Sequence, residues 1–77
     1  LLNYTNTHNF DQEVSEHLAF AATQAENYQV AIIEYDKQIA VSMTPARIEL
    51  KKAHCYYLMG DLENSEKIYL KLAILNN

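Results

Sequence analysis

The sequence predicts an all-α fold of four helices arranged as two antiparallel helical hairpins. Three observations carry this. The chain holds one Gly and one Pro in 77 residues, too few for many tight turns, while good helix formers such as Leu, Ala, Glu, Lys and Gln are plentiful. Apolar residues recur at three- and four-residue spacing over four separate stretches. Within Ala53 to Tyr69, a helical pattern ends in Met59-Gly60-Asp61 and another begins at once. Gly60 suits the positive φ of a helix terminus and Asp61 suits an N-cap, so the two helices must fold back on each other across a very short turn.

Size and charge narrow the possibilities further. At 77 residues the chain makes one small domain, near the size where a single core is only marginally sufficient, so additional burial is expected from elsewhere. Ten acidic against six basic residues give a net charge of -4. That is the wrong sign for a protein that grips phosphate backbones, and nucleic acid is not an expected partner. A lone cysteine, Cys55, excludes an internal disulfide framework and suits a reducing compartment such as the cytoplasm. No apolar run approaches the roughly 18 residues of a membrane span, and no signal-peptide pattern precedes the first helix, so no membrane partner is expected. A chain that opens on Leu1 rather than Met reads as a fragment or processed product.

In chain order, residues 1–10 are rich in Asn and Thr, which compete with helix through side-chain to backbone bonds, and read as a tail or linker. Leu1, Leu2, Tyr4 and Phe10 could dock on the helices. The first helix is expected from about Asp11 to Ala25, with Asp11 or Asn9 as cap and Val14, Leu18, Ala21, Ala22 and Ala25 as its buried face. Such small side chains let a neighbouring helix come close. After a turn at Glu26-Asn27, with Asn27 as cap, a second helix runs from about Tyr28 to Ser42 on a stripe of Ala31, Ile32, Tyr35, Ile39 and Met43. Thr44-Pro45 breaks the pattern, because proline disfavours helix in the residue before it and suits the first helical position after it. The third helix spans about Pro45 to Met59, with Thr44 as cap and Ile48, Leu50, Ala53, Tyr56, Tyr57 and Met59 as its apolar positions. The fourth spans Leu62 to about Leu75. On its wheel Leu62, Ser65, Tyr69, Leu72 and Ala73 form a stripe flanked by Ile68, Leu75 and Leu70, with Ile74 further round. The apolar arc of roughly 220° is about twice what a surface helix needs.

Asn27 and Asp61, Ala19 and Ala53, Tyr35 and Tyr69, and Lys37 and Lys71 are all 34 positions apart, which divides the chain into residues 11–43 and 44–77. The second half places Glu49, Lys52, Ala53 and Tyr56 at W-x2-L-G-x2-Y, Gly60-Asp61 at the turn, and Ser65 with Tyr69 at A-x3-F. The first half offers Ser15, Leu18, Ala19 and Ala22, then Ala31 with Tyr35. In this it resembles the tetratricopeptide repeat, over about residues 12–77, without the motif's tryptophan, with Lys52 for its leucine, and with Met43 and Asn77 at its proline. The resemblance implies a fragment of a right-handed α-solenoid whose concave side, lined by the first helix of each pair, binds a peptide or partner protein. Carried over position by position, that side holds Glu13, Glu16, Phe20, Thr23 and Gln24, then Arg47, Leu50, His54, Tyr57 and Leu58. Apolar anchors beside a few charges are what a peptide groove requires. Family members that clamp chaperone C-terminal carboxylates use Lys and Asn where this chain has Glu16 and Phe20, and an acid there would repel such a tail.

Chemistry is scarce, and neither catalysis, a cofactor nor a metal is expected. Glu13 and His17 share a helix face, but two ligands fall short of a metal site. His54 and Cys55 point about 100° apart, and Cys55 falls at a small-residue core position. A second functional expectation comes from the last helix. Two repeats without a polar capping helix leave Ile68, Leu70, Ile74 and Leu75 uncovered, so a homo-oligomer, or further repeats of a longer array, is expected to cover them.

Overall fold

Local signals set the ends of four helices, which are the only regular elements among residues 10–75, the part of the chain that the computed structural model describes. Helix α1 spans Gln12–Gln24. Asp11 caps it: its side chain accepts the Val14 amide at 3.2 Å, satisfying one of the donors that a helix N-terminus leaves free. Helix α2 spans Tyr28–Val41, α3 Pro45–Met59 and α4 Leu62–Leu75. Pro45 occupies the first turn of α3, where its missing N–H costs nothing. Asp61 opens α4 by accepting from the Asn64 amide and side-chain nitrogen. Two expected caps differ. Asn27 and Thr44 stand at N-cap positions without a side-chain bond into their helices, and the Thr44 amide is instead bound by the Ser42 hydroxyl at 2.9 Å. Leu1, Leu2, Tyr4, Asn9 and Asn77 lie outside the described residues.

Both hairpin turns share one geometry. Gly60 is left-handed at φ 88°, its amide bound to the Tyr57 carbonyl at 3.0 Å and the Asp61 amide to that of Tyr56 at 2.9 Å. This is the paired C-terminal motif in which a left-handed residue lets two amides return to the last turn. The first hairpin repeats it with Glu26 at φ 62°, the Glu26 amide on Thr23 and the Asn27 amide on Ala22. A side chain in this backbone region meets a steric penalty that glycine avoids.

The helices pack in chain order, α1 on α2, α2 on α3, and α3 on α4. The result is an open stack of 45 × 29 × 14 Å with a radius of gyration of 13.7 Å, above the roughly 11 Å of a compact domain of this length. Its core is a single cluster of Ala19, Ala22, Ala31, Ile32, Tyr35, Ile48 and Cys55, with Tyr28, Ile39 and Tyr56 against it. Ala31 and Ala53 are fully buried, marking where helix axes approach most closely. Burial departs from the expected stripes at three places. On α1 the face turned inward is Ser15, Ala19 and Ala22, while Val14, Leu18, Ala21 and Ala25 are exposed. Met43 lies beyond α2 and is almost wholly exposed. Tyr69 does not fill its wedge; it is 41% exposed where Tyr35 is 8%.

Polar contacts fasten each hairpin. Between α1 and α2 the Ser15 hydroxyl lies 2.9 Å from Glu34 Oε1 and accepts from Gln38 Nε2 at 3.0 Å, all three side chains belonging to buried residues. Lys37 holds the other Glu34 oxygen at 3.1 Å. Buried polar groups partnered in this way fix register, because sliding either helix would strand them without partners. Between α3 and α4 the corresponding contact is a direct ion pair, Lys71 Nζ to Glu49 Oε1 at 2.9 Å.

Candidate functional site

Two surfaces stand out. The first is the trough between α1 and α3, floored by α2. Glu16, Phe20, Thr23 and Gln24 from α1, Tyr35 and Gln38 from α2, and Lys51 from α3 enclose a pocket of about 190 Å³. Towards the N-terminus of α3 it continues into a more polar pocket between Gln12 and Glu16 on one side and Arg47, Ile48 and Lys51 on the other, closed by Ser42 and Thr44. The helical rise puts residues four apart on one face, which is why Glu16 and Phe20 line the α1 wall and Arg47 and Lys51 the α3 wall. Neither cation makes an ion pair among the described residues. The arrangement combines one exposed aromatic, Phe20, with a carboxylate and two cations, a set suited to an extended or helical segment carrying an apolar anchor and acidic neighbours.

Of the residues expected on this face, Glu16, Phe20, Thr23, Gln24 and Arg47 are brought together here. Glu13 stands apart, in a solvent-exposed contact of 3.9 Å with His17. Leu50, His54 and Leu58 recur at four-residue spacing on an exposed face of α3 and line neither pocket. His54 stacks on Tyr57 with ring centroids 6.4 Å apart and 18° between planes. Lys51 is the wall residue that periodicity missed, since an exposed lysine carries no apolar signal. Its spacing of four from Arg47 is the clue that was available.

The second surface is an open apolar groove between α3 and α4, lined by Tyr57, Leu62, Ser65, Glu66, Tyr69, Leu70 and Ala73. Tyr57 therefore belongs to this end of the stack. Leu70 lies in the groove, Ile74 and Leu75 are exposed, and Ile68 is half-buried.

Neither surface offers reactive chemistry. Cys55 is buried while His54 faces solvent, so the two do not form a dyad. Burial pushes the Cys55 thiol up from its ordinary value, partly offset by the Thr23 side chain, and so disfavours the nucleophilic thiolate. No group of three or more His, Cys, Asp or Glu among the described residues is placed to hold a metal ion, and no described helix is long and apolar enough to cross a membrane.

Fold and surfaces together define an all-α stack of helical hairpins. No protein-family model matches the sequence, and comparison with curated proteins and with solved structures gives no match.

Proposed function

We propose that this chain is a protein interaction module of tetratricopeptide-like design that captures a peptide or partner protein in the trough between α1 and α3. The observation that carries this is the line of two adjoining pockets between helices that are not neighbours in sequence, one holding Phe20 and the other Arg47, with Glu16 and Lys51 shared by both. An anchor in the recess would be desolvated while the flanking charges select its neighbours, which is how peptide grooves divide affinity from specificity. Peptides selected from a displayed random library on the folded chain provide the test. Phe20→Ala and the double change Arg47→Glu, Lys51→Glu should each weaken the selected peptides by about tenfold or more, while Glu63→Lys, on the exposed first turn of α4, should not. Peptides that bind all variants alike would place capture elsewhere.

A second reading, assembly of several copies, is favoured by a separate observation. Leu62, Leu70, Ile74 and Leu75 on α4 are all more than half exposed, and leaving such side chains in water forgoes roughly 1.5–3 kcal/mol each relative to full burial.

A further inference from the structure

Within the chain, α3 packs on α2 and supplies one half of a joint. It inserts Ile48 and Cys55, both buried, and pairs Lys52 Nζ with Asp36 Oδ1 at 2.7 Å. The other half is the surface it covers, chiefly Ala31, Ile32 and Tyr35. A shift of 34 residues carries each half onto one end of the stack formed by the described residues. Ile48, Lys52 and Cys55 move back onto Val14, Leu18 and Ala21, the exposed stripe of α1. Tyr35 and Asp36 move forward onto Tyr69 and Leu70, which line the open groove with Tyr57, Leu62 and Ala73. Each end thus exposes a copy of one half of a joint that the chain already makes.

The residue changes at the two ends are matched. Where the internal joint sets a cation, Lys52, against a carboxylate, Asp36, the ends hold Leu18, 48% exposed, and Leu70, 56% exposed. Combining a free end with an internal half would set Leu18 against a carboxylate or Lys52 against Leu70, leaving one charge without its partner at the rim of the joint. The free ends suit each other. Glu66, which takes the place of the buried Ile32, lines the groove and is the one position of the joint that needs a polar neighbour from the incoming helix.

We propose that a second copy of this chain inserts the Val14–Leu18–Ala21 face of its α1 into the groove between α3 and α4, Leu18 against Leu70, so that copies join head to tail in the manner of α3 on the first hairpin. This names the two surfaces of the assembly reading and rests on it; it is independent of peptide capture in the trough. Because the two contacting patches differ, the contact does not saturate in a symmetric dimer but continues into a ring or an open chain.

Sedimentation velocity across a range of concentrations tests it. Wild type should sediment above the dimer mass as concentration rises. Leu18→Lys and Leu70→Lys should each remain monomeric with unchanged helical circular dichroism, since both positions are exposed in the single chain. Their equimolar mixture should form dimers and nothing larger: the first variant retains an intact groove, the second an intact α1, and the remaining ends oppose two lysines. Should either variant lose helicity, Leu18→Gln and Leu70→Gln give the same readout. A wild-type chain that stays monomeric throughout would overturn both this joint and the assembly reading, leaving the groove to a further hairpin of the same polypeptide. A wild type that assembles, with single variants that assemble equally well or a mixture that forms no dimer, would overturn the joint and leave the assembly reading standing.

Discussion

The two hairpins use the same register and the same turn, yet the outward face of the second helix is covered in one and open in the other. Tyr35 and Tyr69 occupy corresponding positions, as do Ala31 and Ser65, and Tyr28 and Leu62. In the first hairpin these residues lie beneath α3, and Ala31 and Tyr35 are buried. In the second Ser65 is buried as well, but nothing among the described residues lies over Tyr69 and Leu62, which open onto a groove. Burial in this stack is therefore set by what comes next along the axis, as expected when each unit contacts only its neighbours. The polar contacts differ in parallel. The first hairpin encloses Ser15, Glu34 and Gln38 away from water, whereas the second relies on one ion pair between the mostly buried Glu49 and the half-exposed Lys71. A network of three buried side chains specifies one register more strictly than a single ion pair.

Truncating the two tyrosines gives the largest expected contrast. In dilute solution Tyr35→Ala should cost about 3 kcal/mol or more, the range for deleting a buried aromatic ring, which is a large share of a small domain's stability. Tyr69→Ala should cost less than about 1 kcal/mol, as for an exposed side chain. Urea denaturation followed by circular dichroism measures both; equal losses would mean that the second wedge is as well filled as the first. A smaller effect with opposite signs is expected at the turns. Glu26→Gly should stabilise by about 0.5–1 kcal/mol by relieving a left-handed residue, and Gly60→Ala should destabilise by a similar amount although no atom lies within 4 Å of its added Cβ, because the cost is in the backbone. Changes of the same sign at both positions would break the equivalence of the two turns.

The helices themselves were legible in the sequence because their ends are written locally. Pro45, Asp11, Gly60 and Asp61 each act within three or four residues of their own position. Which face turns inward was less legible. On α1 the apolar stripe of Val14, Leu18 and Ala21 reads as core, yet the buried face is the adjacent one, Ser15, Ala19 and Ala22. Hydrophobic periodicity gives Ser15 no weight, whereas its position in a network with Glu34 and Gln38, 19 and 23 residues away, fixes the rotation of the helix. The repeat register named Ser15, Ala19 and Ala22, which are buried, together with Leu18, which is 48% exposed. In the trough, Glu16, Phe20 and Arg47 were expected from the tetratricopeptide resemblance and line its pockets. Lys51 was not, and neither was the groove that Tyr57 shares with Leu62 and Ala73, because both depend on which helix sits opposite.

The unfilled second hairpin is tested most directly by hydrogen exchange at low and high protein concentration. The amides of α2, covered by α1 and α3 within one chain, should exchange at rates independent of concentration, while those of α1 and α4 should gain protection as concentration rises and the free ends find each other. Protection that stays the same in all four helices at every concentration would contradict the account.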